Sequence, residues 1–233
     1  MSLSGREVQL HAYPNGEVAS SDFRVVETAI REPRPGEVIV RNTWTSVDPG
    51  LRLRLKETGP AGYFAAFPLD AAMDGIMTVG EVVESRSEQF VAGDTVWHAS
   101  GWRDYSVVEA GIPALSGLGT LTRVDTGVAA PQSYLGPLGG MGLTAWAGLF
   151  EAAGLRDGDI VWVAAAAGAV GSLAAQFAKL TAESNRQSAL LNLARCVCAW
   201  RLERYLNVKG HAAPCACASC ALSDAYVALE KLL

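Results

Sequence analysis

The segment that decides the fold reads Ile160-Val161-Trp162-Val163-Ala164-Ala165-Ala166-Ala167-Gly168-Ala169-Val170-Gly171-Ser172-Leu173. It continues with small and apolar residues at helical spacing to Lys179-Leu180. The pattern predicts a short apolar strand over Ile160–Ala164, a glycine turn, and a helix from Ser172 to Leu180. Strand, turn and helix in that order is the context that a dinucleotide-binding loop requires. Gly168 lets backbone N–H groups approach a pyrophosphate, and Gly171 lets the helix pack closely on the strand. The helix start adds N–H groups without an intrahelical partner and the positive end of the dipole. Gly168, Ala169, Val170 and Gly171 are therefore the candidate anion-holding residues. Ala166 stands where the commoner fingerprint has its first glycine, and small residues also suit ordinary strand–helix packing.

Working outward, Gly139-Gly140-Met141-Gly142-Leu143-Thr144-Ala145-Trp146 begins a helix-like run to Ala153, and Gly154-Leu155-Arg156-Asp157-Gly158-Asp159 reads as a turn. Earlier still, Val8-Gln9-Leu10, Phe23-Arg24-Val25-Val26, Val38-Ile39-Val40 and Val79 to Val83 are short β-branched or alternating runs. Pro14-Asn15-Gly16, Pro35-Gly36-Glu37 and Ala92-Gly93-Asp94 separate them as turns. Thr95-Val96-Trp97-His98 and Tyr105-Ser106-Val107-Val108 add two strands around a Gly101-Trp102 corner. Many short strands with glycine and proline turns predict a partly open barrel.

Composition narrows the function classes. A formal net charge of −5 over 233 residues argues against nucleic acid or an anionic membrane surface as partner. No run of 18 apolar residues exists, so no transmembrane helix is expected. Met1 to Gly16 lack the long apolar stretch of a secretory signal. All five cysteines lie beyond residue 195, which is no secreted disulfide framework, so a cytoplasmic address is the default.

Several separated motifs agree with one another. Met141-x-Leu143-Thr144-Ala145 precedes Ala165-x-x-Gly168-x-x-Gly171. Val47-Asp48-Pro49, Gly80-x-Val82-Val83-Glu84-Ser85, Phe90-x-x-Gly93-Asp94-x-Val96 and Gly101-Trp102-x-x-Tyr105 come before them in order. Over roughly residues 3 to 180 the chain resembles the zinc-independent medium-chain dehydrogenases/reductases. Within these it is most similar to the prostaglandin reductase, leukotriene B4 dehydrogenase and alkenal double-bond reductase group. The resemblance implies an α/β fold: a chaperonin-10-like, partly open β-barrel on the substrate side, followed by the first βα unit of a Rossmann-type doubly wound domain.

It also implies NADP as cofactor and an enal or enone as substrate. Hydride goes to the β-carbon, and donors stabilise the developing enolate oxygen. Met141 and Thr144 would line the nicotinamide end, and Gly168 to Gly171 the pyrophosphate. A quinone-reductase-type reaction on the same scaffold is the nearest enzyme alternative. No catalytic residue is assignable, because the tyrosine donor of the family's second half has no counterpart here. After Val47-Asp48-Pro49 the family's tyrosine and methionine are replaced by Gly50-Leu51; Tyr63, Phe64 and Phe67 are either a replacement wall or ordinary packing. No catalytic metal is expected. The stretch Thr45-Ser46-Val47-Asp48 has no thiol or imidazole, and the lone His11 and His98 of this half read as surface or core residues.

Beyond Thr181 the chain departs from the family pattern. Ser188 to Leu206 and Ser223 to Leu233 read as helices, with Lys209-Gly210-His211 and a cysteine-containing stretch between them. His211, Cys215, Cys217 and Cys220 lie close together but lack the paired Cys-x-x-Cys spacing of a zinc knuckle. An insertion into the family pattern, or a C-terminus joined by truncation, splicing or a shifted frame, is favoured over a metal site. Three segments follow: 1–130 barrel, 131–180 start of the dinucleotide-binding domain, 181–233 divergent tail. The rival to enzymatic function is a non-catalytic remnant that acts by association, by pairing with a full-length relative or with a second copy.

Overall fold

The structure, a computed structural model, describes residues 3–59, 64–75, 77–111, 120–156 and 159–183. The chain divides into two compact units, Met1–Val124 and Asp125–Leu233.

Among the described residues of the first unit every strand pairing is antiparallel. Strands β1 (Ser4–Leu10) and β2 (Phe23–Ala29) form a two-stranded ribbon, with Ser4 opposite Ala29 and Leu10 opposite Phe23. The strands β3 (Glu37–Thr45), β4 (Thr78–Ser85), β5 (Thr95–His98), β6 (Tyr105–Glu109) and β7 (Thr122–Arg123) form a five-stranded sheet in the order β6-β3-β4-β5-β7. All six strands expected in this half are present, and β7 is an addition. Gly36 and Gly93 adopt φ of +88° and +95°, the left-handed conformation their turns need and a side chain opposes.

Residues Val38 to Val40 of β3 are an unbroken apolar run because both faces are covered there. Val38 and Val40 are fully buried and Ile39 nearly so. With Val82, Phe90, Val96 and Val108 the two valines make the core cluster under the five-stranded sheet. A second cluster, Leu10, Leu51, Leu55, Phe67 and Met73, lies against the ribbon. Each such side chain contributes about 1.5–3 kcal/mol by leaving water. Where β4 crosses β3 there is no room for a side chain: a Cβ on Gly80 would sit 2.5 Å from the Arg41 carbonyl oxygen. Register shifts between Ile39 and Val40, and again between Asn42 and Trp44, bend β3 and re-aim the residues that follow.

The second unit is helical where described. A 3₁₀ turn over Pro131–Leu135 leads to α1 (Gly140–Trp146), which continues as a π-helical turn over Ala147–Ala152. Helix α2 spans Ala169–Glu183, three residues longer at each end than the sequence pattern predicts, and packs on α1. Close backbone approach shapes the start of α1, since a Cβ on Gly142 would overlap the Pro137 carbonyl. The expected strand Ile160–Ala164 is a correction. It has no strand partner among the described residues; Ile160 is 100% and Trp162 85% exposed. An apolar run becomes a strand only where a neighbour takes its backbone hydrogen bonds. The helices expected over Ser188–Leu206 and Ser223–Leu233, and the His211–Cys220 cluster, lie outside the described residues.

Candidate functional site

The anion-holding candidates sit at the junction of a turn and a helix. Residues 164–167 form the turn, the Gly168 N–H donates to the Ala165 carbonyl at 3.0 Å, and the Ser172 N–H donates to Gly168 O at 2.8 Å. A Cβ on Gly171 would sit 2.0 Å from the Ala165 carbonyl oxygen, closer than any real contact, and one on Gly168 would sit 3.3 Å from it. Position 171 therefore accepts only glycine if the turn is to keep this shape. Ala169, Val170 and Gly171 begin α2, so their N–H groups precede the first intrahelical bond. The loop is open to solvent from Ala164 to Ala169. This arrangement suits a bound phosphate group.

The other two candidates, Met141 and Thr144, lie three residues apart on α1 and so share a face. Met141 is half-buried; Thr144 is exposed, with its hydroxyl donating to the Gly140 carbonyl at 2.7 Å. The packing of α1 on α2 brings both groups of candidates into one unit.

On the strand side, the sequence left the role of the aromatic residues around position 65 open. Phe67 is a core residue: it is 1% exposed, and the Arg54 guanidinium lies 3.7 Å from its ring centroid. Phe64 is half-buried, and Tyr63 lies outside the described residues.

Among the described residues His98 is the strongly perturbed histidine. Its ring is fully buried, with Nε2 3.0 Å from Asn42 Oδ1, while the Ser100 N–H donates to Nδ1 at 3.1 Å. That pattern requires a neutral ring protonated on Nε2. Burial, and then the charge of Arg103, hold its pKa down to about 3. Both nitrogens are thus committed to protein partners. His11 is likewise engaged, Nδ1 with Asp70 Oδ1 at 2.9 Å and Nε2 with Arg24 Nη2 at 2.7 Å. Among the described residues no group of three or more His, Cys, Asp or Glu is arranged to hold a metal ion. Among them too, no helix is long and apolar enough to cross a membrane.

Sequence reasoning missed the polar lock around Asn42. Its Nδ2 donates to Arg103 O at 2.8 Å, Ser106 Oγ at 2.9 Å and Ser100 O at 3.3 Å. The one available signal was a histidine inside an apolar strand run, and its side-chain partner Asn42 lies 56 residues away.

Residues 6–113 match the family described as the N-terminal domain of oxidoreductase. YfmJ of Bacillus subtilis (strain 168), provisionally named an NADP-dependent oxidoreductase, is 37% identical over 180 residues, 77% of this chain and 50% of that protein. The NADP(+)-dependent 2-alkenal reductase of Nicotiana tabacum is 33% identical over 181 residues, 76% of this chain and 50% of that one. Among solved structures, CurA from Vibrio vulnificus in complex with NADPH superposes with a TM-score of 0.62 at 31% identity, covering 75% of this chain and 49% of that one. The chain spans about half the length of the curated relatives it matches.

Proposed function

The matched part of this chain belongs to the zinc-independent medium-chain dehydrogenase/reductase group, and we infer from it a share in NADP-dependent reduction of the carbon–carbon double bond of an α,β-unsaturated carbonyl. The observation that carries this reading is the Ala165–Gly171 turn. The 2.0 Å approach at Gly171 leaves a cradle that a side chain would fill, at the start of a fifteen-residue helix. Gly168, Ala169, Val170 and Gly171 would hold the pyrophosphate, and Met141 and Thr144 would flank the nicotinamide. When bound, NADPH supplies the hydride. The turn orients the cofactor through backbone N–H groups and needs no side-chain charge for that. The antiparallel first unit is read as a chaperonin-10-like barrel on the substrate side, within the three segments 1–130, 131–180 and 181–233, and the protein as cytoplasmic. The test is NADPH oxidation at 340 nm by the purified chain with a simple alkenal. Turnover above roughly one per second gives the reaction to this chain itself; a rate at the uncatalysed background removes it from these 233 residues.

A second reading, a non-catalytic remnant that associates with another copy, is supported by one observation. Ile160 and Trp162, two residues apart, stand 100% and 85% exposed, apolar surface that water disfavours. Sedimentation of the wild type against Trp162→Glu tests it. Concentration-dependent association lost in the variant supports pairing, and identical monomeric behaviour excludes it.

A further inference from the structure

The first unit contains a cleft that the reading above does not use. Its volume is about 330 Å³, and its walls include Arg6, Val8, Val25, Asn42, Trp44 and Trp102. That is the lower end of the size range of small-molecule sites. We propose that this cleft is a binding site for a small, neutral, planar organic molecule that stacks on the Trp44 indole. The proposal stands on the first unit alone and does not depend on the cofactor turn.

Three independent observations converge on it. Trp44 follows the second register shift of β3 and is 51% exposed. A bulge re-aims the side chains that follow it, and here it leaves a large aromatic ring at the mouth of a cleft rather than in the core. Trp102, on the wall, has φ of +58°, a conformation that a bulky residue adopts only when its surroundings enforce it. They do: its carbonyl accepts from the Val8 N–H at 2.8 Å, and a Cβ at Gly101 would come within 2.4 Å of both the Thr45 and Thr78 hydroxyl oxygens. Finally, the floor is rigid, since Asn42 is tied to Ser100, Arg103, Ser106 and His98. A wall held in strain, a locked floor and a free aromatic face are the elements of a preorganised site.

Charge selects the ligand class. The charged groups on the lining are Arg6, Glu7, Arg103 and Asp104, two of each sign. Each is already engaged. Arg6 donates twice to Asp104, at 2.9 and 3.2 Å; Arg103 donates to Asp74 at 2.8 Å; Glu7 accepts from Gln9 at 2.6 Å. A carboxylate ligand would find no uncommitted cation and would lose its hydration, whereas a neutral amide or carbonyl compound would lose little. Val8 and Val25 supply apolar contact beside the indole.

The test uses the full chain without cofactor and a matched pair of probes, trans-cinnamamide and trans-cinnamate, which share a planar frame and differ in charge. Saturation-transfer NMR titration is expected to show saturable binding of the amide and at least about tenfold weaker binding of the acid. Trp44→Ala should weaken the amide by about tenfold, the worth of one aromatic stacking partner. Trp44→Phe should retain it within about threefold. The half-exposed position allows both variants to fold, which circular dichroism checks. Absence of saturation, equal binding of amide and acid, or an unchanged affinity in Trp44→Ala would each overturn the proposal. NADPH oxidation is measured separately, so a dead cleft and a dead reductase are distinguishable.

Discussion

His98 exerts its effect through protonation. Folding keeps it neutral at a pKa of about 3, against an ordinary value of 6.5. The unfolded chain therefore takes up a proton that the folded chain refuses. Stability is full above pH 6.5 and falls as the pH drops from there toward 3, by at most about 1.4 kcal/mol per pH unit from this one group. Glu37 acts lower: hydrogen bonds from Arg31 hold it near 2 instead of 4.5, so its contribution is lost only below pH 4.5. Between 6.5 and 4.5 the slope should belong mainly to His98. Urea unfolding of the wild type across that window is expected to show declining stability, and His98→Gln a flatter profile from a lower starting point. Parallel profiles would mean that the ring is not held neutral by burial.

At the scale of elements, two glycines that look alike in sequence should behave oppositely. Gly80 lies where β4 crosses β3, with the Arg41 carbonyl and a Val40 methyl within 2.6 Å of a built Cβ. Gly80→Ala should therefore cost about 1–3 kcal/mol, read as a lower urea midpoint. Gly148, in the π-helical turn after α1, has nothing within 4 Å of such a Cβ. Gly148→Ala should be neutral or stabilise by about 0.4–1 kcal/mol, by restricting the unfolded chain. Gly171 resembles Gly80. Alanine there must push the 164–167 turn away from the start of α2, so Gly171→Ala should lower the helical signal that melts with the second unit. If all three alanine variants melt alike, the crowding at Gly80 and Gly171 has no energetic weight.

For the whole molecule, the expectation concerns the cofactor. The described residues offer a pyrophosphate turn and one flank for the nicotinamide, and the run Ile160–Ala164 has no sheet around it. If each missing charge-assisted contact is worth about 1.5–3 kcal/mol, two or three of them weaken binding by several orders of magnitude. Titration should then give a dissociation constant for NADPH no tighter than about millimolar. Micromolar binding would mean that residues beyond Glu183 complete the pocket. Elemental analysis of a chain ending at Leu180 should find less than one zinc, and one tightly held zinc would contradict the reading of His11 and His98.

The sequence alone determined where six of the strands lie along the chain and the place of the glycine turn. Those features are local: β-branched alternation, Pro35-Gly36 and Ala92-Gly93 turns, and the Gly168–Gly171 spacing act within a few residues of themselves. Thr95–His98 was legible to the residue because turn and run both mark its ends. Tertiary structure decided the features that depend on distant partners. Phe67 could be a substrate wall or core until Arg54 was found across its ring. His98 was a lone histidine until Asn42 and Ser100 closed around it. Ile160–Ala164 has the composition of a strand but no strand partner among the described residues, because composition supplies apolar surface and only a neighbour supplies the hydrogen bonds. The cleft at Trp44 was invisible for the same reason: Arg6 and Asp104 are 98 residues apart, and no periodicity in a chain reports a contact over that distance.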